Sequence, residues 1–90
     1  MPRYLVQRTF PDGLHIHPAN GGVERCQALV EQIADEGVTW LHSYVSDDER
    51  TTFCIYDAPT PEAIRRTARR NQLPVDQITP VTVLDPYFYT

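Results

Sequence analysis

One short stretch of the chain carries most of the side chains that could do chemistry. TWLHSYVSDDERTTFCIYDAP, residues 39–59, contains the single tryptophan and four other candidate site residues: Trp40, His42, Tyr44, Cys54 and Tyr56. Imidazole and thiolate groups both suit nickel, zinc or copper. A thiolate beside an imidazole can also serve as a nucleophile. These residue types therefore predict a metal site, a reactive thiol or an aromatic interface.

Other candidate ligands lie outside this stretch. The tripeptide HIH places His15 and His17 two residues apart, on one side of the chain if it is extended. We expect His42 to be the principal metal ligand, with Cys54 and His15 or His17, or a group from a partner subunit, completing the site. Cys26 and Cys54 lack the CxxC spacing of a zinc or redox motif, so both are predicted to be reduced thiols.

The positions of these side chains depend on two predicted strands, VTWLHSYVS and TTFCIYDA, joined by a charged loop. Matching apolar to apolar across a three- or five-residue loop predicts four residues beneath the helices: Leu41, Val45, Phe53 and Ile55. His42 and Cys54 then become neighbours on the open face, with three aromatic side chains around them: Trp40, Tyr44 and Tyr56. Gln7, if strand 1 turns it to the same face, or Asp57 could orient the histidine.

The remaining elements complete one domain over residues 1–90. We predict a strand over 2–10, a helix within 22–37, a helix from Thr60-Pro61 to about Asn71, and a strand over 80–85. The apolar stripe of the first helix is predicted from helical spacing: Val23, Cys26, Val30 and Ile33, with Leu29 and Ala34 beside them. The second helix is predicted to be capped by Thr60 and to have a thin inward stripe: Ile64, Thr67 and Ala68. The βαββαβ order predicts a ferredoxin-like α+β fold, a four-stranded antiparallel sheet with both helices on one face.

Composition narrows the class of protein. Hydrophobic content of 41% and charged content of 22% are typical of a soluble globular domain, and no apolar run approaches the ~20 residues that span a bilayer. The first residues lack a secretory signal, so we expect a cytoplasmic protein with no membrane partner. An open aromatic sheet face is also how some RNA-binding domains stack bases. The net charge of −4 and the absence of that motif's glycines argue against nucleic acid.

The segments WLHSYVSDDERTTFCIYDAPTPEAIRR, LPVDQI and VLDPYF carry a resemblance that runs nearly end to end. They resemble a family of small bacterial proteins of unknown function that is related to a nickel-binding protein with a dimeric ferredoxin-like fold. The resemblance implies a homodimer packed through the open sheet face, as in dimeric α/β barrels, with nickel or another divalent transition metal as ligand. A contiguous exposed aromatic patch on that face independently favours dimerisation.

The nickel-binding relatives depart from this chain at their ligand positions. They carry a histidine late in the first strand and further histidines in and just after the second helix, where this chain has Arg8, Ala68 and Asn71. These positions imply that the nickel site of the relatives is damaged or relocated in this chain. Metal binding is still the leading prediction, on the family resemblance. A metal-free small-molecule-binding or enzymatic α/β barrel is the alternative, and a purely structural dimer is the third possibility.

Overall fold

The secondary structure follows the predicted βαββαβ order. The computed structural model describes residues 2–14 and 22–87. Its elements are β1 (Arg3–Thr9), α1 (Gly22–Ala34), β2 (Thr39–Val45), β3 (Thr51–Asp57), α2 (Pro61–Arg70) and β4 (Gln77–Val81). The loop between β2 and β3, 46–50, has five residues, one of the two predicted lengths. No helix in the described ranges is long and apolar enough to cross a bilayer.

The four strands form one antiparallel sheet in the order β2-β3-β1-β4. Both helices pack on the same face of this sheet, where Ile33 from α1 and Ile64 from α2 join the buried core. The predicted ferredoxin-like fold is therefore confirmed. We call the face beneath the helices the covered face and the opposite one the open face.

Strict alternation along the central strands defines the two faces. Tyr4, Val6 and Arg8 of β1 are buried, whereas the residues between them are only half-buried. β3 behaves in the same way, with Thr52, Cys54 and Tyr56 buried. Because β1 and β3 are paired so that Val6 lies opposite Cys54, these two sets share the covered face.

The predicted register between β2 and β3 is wrong. Trp40 lies opposite Tyr56 and His42 lies opposite Ile55, so the ladder is irregular at Leu41. A bulge of this kind inserts one residue and interrupts the alternation of side chains. Trp40 therefore belongs to the covered face, while His42 belongs to the open face.

The predicted burial of β3 is inverted for a related reason. Phe53 and Ile55 were expected beneath the helices, but they are half-buried on the open face. Val45 does lie on the covered face, opposite Thr52, whereas Leu41 sits at the irregularity and is 38% exposed. Both faces of the sheet carry apolar residues, so matching apolar to apolar could not decide which face the helices cover.

Helix α2 begins as the sequence predicts. The Thr60 hydroxyl accepts a hydrogen bond from the Ala63 amide at 3.2 Å, and Pro61 occupies the first helical position. The predicted inward stripe of Ile64, Thr67 and Ala68 is buried.

Helix α1 is rotated from the predicted orientation. Ile33 is buried and Cys26 and Leu29 are half-buried, but Val23 is 48% exposed and Val30 is 45% exposed. The inward stripe therefore runs through Cys26, Leu29 and Ile33. Ile33 is the one apolar side chain of α1 that is fully buried, and Cys26 and Leu29 in its first half line a cavity.

Strand β4 begins earlier than predicted. It pairs with β1 from Gln77 opposite Gln7 to Val81 opposite Arg3, whereas the strand was expected over 80–85. The apolar residues Val83 and Leu84 lie beyond it and are exposed. Pro80 has no N–H to donate, and an edge strand tolerates that loss. The prediction followed the β-branched residues within 80–85. The strand is instead defined by its pairing with β1, which is made by residues 77–81.

Candidate functional site: a cavity beside Arg8

The structure separates the residues that the sequence grouped together. Trp40, Cys54 and Tyr56 lie on the covered face, while His42 and Tyr44 lie on the open face. Gln7, expected as an orienting residue, lies opposite Phe53 on the open face. The prediction that His42 and Cys54 are neighbours is therefore wrong, because the bulge at Leu41 sends them to opposite sides of the sheet. They cannot bind one metal ion together or act as a thiolate–imidazole pair.

His42 is exposed on the open face. Its ring meets the Tyr44 ring edge to face, with centroids 5.2 Å apart and an interplanar angle of 87°. His15 and His17 lie outside the described residues. Within 2–14 and 22–87, no group of three or more His, Cys, Asp or Glu residues is arranged to hold a metal ion.

A cavity lies on the covered face, between the sheet and the first half of α1. It has a volume of about 270 Å³. Its apolar wall is contributed by the strands, α1 and the flanking loops: Phe10, Leu14, Cys26, Leu29, Trp40, Val45 and Leu73. Its more polar wall comes from the strands: Arg8, Ser43, Thr52, Cys54 and Tyr56. Three residues expected in one site, Trp40, Cys54 and Tyr56, thus do line a common space, although without His42.

Arg8 is the charged residue of this cavity. Its side chain is almost completely buried, with 3% of its surface exposed. Nη1 donates to the Pro74 carbonyl at 2.7 Å, and Nη2 donates to the Tyr56 hydroxyl at 3.3 Å. The guanidinium carbon also lies 5.9 Å from the centroid of the Tyr56 ring. These contacts fix the position of the cation without neutralising it.

No carboxylate in the described ranges forms an ion pair with Arg8. Burial raises the pKa of the Tyr56 hydroxyl, so this neighbour stays protonated and neutral at physiological pH. A guanidinium remains a cation under the same conditions. Arg8 therefore brings an unneutralised positive charge to the cavity wall.

Arg8 also has N–H donors that these contacts do not use. The two described contacts use Nη1 and Nη2, whereas a guanidinium carries five N–H donors. Arg8 lines the cavity, so its side chain is within reach of a group bound there.

The other polar groups of the cavity are mostly satisfied internally. The Trp40 indole N–H donates to the Ser43 hydroxyl at 2.8 Å, and the Cys54 thiol lies 3.6 Å from the Thr52 hydroxyl. Sequence reasoning named Arg8 only as a lost ligand position and missed Ser43 and Thr52. The alternation of Tyr4, Val6 and Arg8 held the signal, because it places a cation at an inward position of a strand.

The fold and the cavity define a ferredoxin-like α+β protein with a pocket between its sheet and its first helix. Residues 4–81 match the family of nickel responsive proteins described as SCO4226-like, and the chain belongs to this family. The crystal structure of SCO4226 from Streptomyces coelicolor A3(2) matches with a TM-score of 0.70 and 20% sequence identity, covering 92% of this chain and 99% of that chain. At this identity the likeness establishes the fold. No curated protein matches the sequence.

Proposed function

We propose that this chain is a small-molecule-binding protein and that the cavity beside Arg8 holds its ligand. The observation that carries the proposal is the cavity itself, a mostly apolar space with a few fixed polar groups. Small-molecule sites have this character: apolar walls hold the ligand and a small number of polar groups orient it. The volume of about 270 Å³ corresponds to roughly nine water molecules, which suits a ligand built on one ring.

Nickel binding is the second candidate, and the description of the family favours it. His42 is its best-placed described ligand, since it is exposed on the open face. The other ligands would come from His15, His17 or a partner subunit. Cys54 has no part in this site because it lies on the covered face.

The proposal also includes a homodimer formed through the open face, in a cytoplasmic setting where both thiols stay reduced. Half-buried apolar side chains on this face support it, among them Leu5, Phe53 and Ile55. An apolar patch of this kind is typical of an interaction surface.

The test of the pocket uses Trp40 as a reporter. Trp40 is the single tryptophan, and its indole N–H bonds to Ser43 in the cavity wall. In a nitrogen-15 correlation spectrum, a panel of one-ring aromatic fragments of neutral, anionic and cationic charge should include members that shift the indole signal saturably. Leu29→Phe, which fills the cavity from α1, should abolish the shift. Val30→Phe, one residue along on the exposed side, should preserve it.

Nickel added to the same samples examines the second candidate. Binding through His42 would disappear in His42→Ala, while fragment binding would persist because His42 faces away from the cavity. If no fragment of any charge shifts the indole signal, or if Leu29→Phe and Val30→Phe behave alike, the small-molecule proposal is wrong.

A further inference from the structure

The described residues place no negative charge beside the buried guanidinium of Arg8. A buried charge is costly unless it is paired, because the protein interior solvates ions far less well than water does. Arg8 donates hydrogen bonds to a carbonyl oxygen and a hydroxyl oxygen, and neither group is an anion. The described arginines near carboxylates, such as Arg3 with Asp57 and Arg66 with Glu36, form ion pairs at the surface instead. Among the described arginines, Arg8 is the one that is deeply buried, and no described carboxylate pairs with it.

We infer that the ligand of this cavity is a small organic carboxylate whose anionic group pairs with Arg8 and whose apolar body fills the space against Trp40 and Leu29. This inference rests on the proposed function and names the chemical class of its ligand. The fork of N–H groups on a guanidinium matches the two oxygens of a carboxylate, and such charge-assisted bonds are stronger than neutral ones. Arg8 lines the cavity, and its five N–H donors outnumber the two described contacts, so donors remain for such an anion.

The rest of the wall specifies the body of the ligand. Phe10, Leu14 and Leu73 contribute apolar surface, so a second charged group on the ligand would lose its hydration without a partner. A bare inorganic anion would leave this apolar surface unused. A metal cation is disfavoured beside Arg8, because like charges repel strongly where water is excluded. An anion on an apolar body uses both parts of the wall.

Arg8 also has the fixed geometry that a recognition group requires. Pro74 and Tyr56 hold the guanidinium from two sides, so little conformational entropy remains to be lost when an anion binds. Thr52, which lies opposite Arg8 in the sheet, places a hydroxyl on the same wall.

The experiment compares phenylacetate, its neutral isostere phenylacetamide, and inorganic phosphate on the wild-type protein. The Trp40 indole signal and calorimetry are the readouts. Phenylacetate should bind about tenfold or more tightly than phenylacetamide, because a hydrogen bond to a charged group contributes more than a neutral one. Phosphate should bind more weakly than phenylacetate, since it gains nothing from the apolar wall.

Two variants assign the preference to Arg8. Arg8→Met keeps much of the side-chain volume and removes the charge, so phenylacetate and phenylacetamide should then bind equally. Arg65→Met makes the same change at an exposed arginine that pairs with Glu62 on α2, and it should leave the preference intact. If Arg8→Met fails to fold, the comparison of the two isosteres on wild-type protein decides the matter.

Several outcomes overturn the inference. Equal binding of phenylacetate and phenylacetamide to the wild-type protein would reject it while leaving the small-molecule pocket standing. Phosphate binding as tightly as phenylacetate would show an adventitious anion only. An equal loss of preference in Arg65→Met would assign it to net charge. If neither aromatic compound nor any fragment of the panel binds, both the inference and the proposed function fail.

Discussion

Arg3 and Asp57 form an ion pair across the two central strands of the sheet. The Arg3 Nε lies 2.9 Å from the Asp57 Oδ1, and the two residues are direct partners in the β1–β3 ladder. The hydrogen bond from Arg3 lowers the pKa of the Asp57 carboxyl, with the guanidinium charge acting in the same direction. The pair therefore favours the ionised carboxylate in the folded state.

This pair predicts a pH dependence of stability. Because the Asp57 pKa is lower in the folded protein than the value of about 3.9 in the unfolded chain, the pair stabilises the fold above that pH. The contribution is lost as the pH falls through the folded pKa. Asp57→Asn should thus lower the urea midpoint at neutral pH and converge with wild type in stronger acid. The difference should be small and should shrink with salt, since the pair is partly exposed.

Asp47→Asn is the matched control, because Asp47 is an exposed carboxylate of the hairpin loop. Its urea midpoint should follow that of wild type across the same pH range. A difference between Asp57→Asn and wild type that stays constant from neutral pH into acid would contradict the assignment to ionisation.

Individual residues were predictable where a short-range pattern governs them. The alternation of Tyr4, Val6 and Arg8 is visible in the sequence, and so is the capping threonine of α2. The separation of His42 from Cys54 was not predictable, because it depends on one irregular residue at Leu41. A bulge changes the face of every residue beyond it and leaves no distinct mark in amino-acid composition.

The start of α2 offers a direct measure of what its cap contributes. The Thr60 hydroxyl accepts from the Ala63 amide, one of the amides that has no partner within the helix. Thr60→Ala should cost about 1 kcal/mol in the free energy of unfolding, measured by urea denaturation. Thr60→Ser keeps the acceptor and should stay within a few tenths of wild type. Equal losses in the two variants would show that the hydroxyl is not the stabilising group.

The two helices differ in how closely they follow their sequence signals. α2 has a cap and a compact buried stripe, and both were predicted. α1 has apolar residues on more than one side, and its exposed Val23 and Val30 are as apolar as the residues it buries. Its apolar spacing therefore does not fix its orientation, and in the fold Cys26 and Leu29 face the cavity. The position of β4 was missed for a similar reason, since pairing with β1 outweighs the β-branched run that follows.

The two faces of the molecule now have separate roles in our proposals. The covered face carries the cavity and the buried core. The open face carries half-buried Leu5, Phe53 and Ile55 beside Tyr44, which is 63% exposed. Trp40, predicted on the open face, lines the cavity instead. Phe53 lies between two strands on the open face, opposite Gln7 of β1 and opposite Tyr44 of β2.

Sedimentation equilibrium at micromolar concentration should give about twice the chain mass of 10.3 kDa. Phe53→Glu should shift the protein to monomer, because it places a charge in the middle of the apolar patch, where an interface would desolvate it. Arg65→Glu introduces the same side chain on the exposed side of α2 and should remain dimeric. A wild-type protein that sediments as a clean monomer would refute the dimer.

The same variant tests whether the two faces are independent. Since Phe53 and the cavity lie on opposite sides of the sheet, monomeric Phe53→Glu should still bind phenylacetate. A loss of phenylacetate binding in this variant would show that the two faces are coupled.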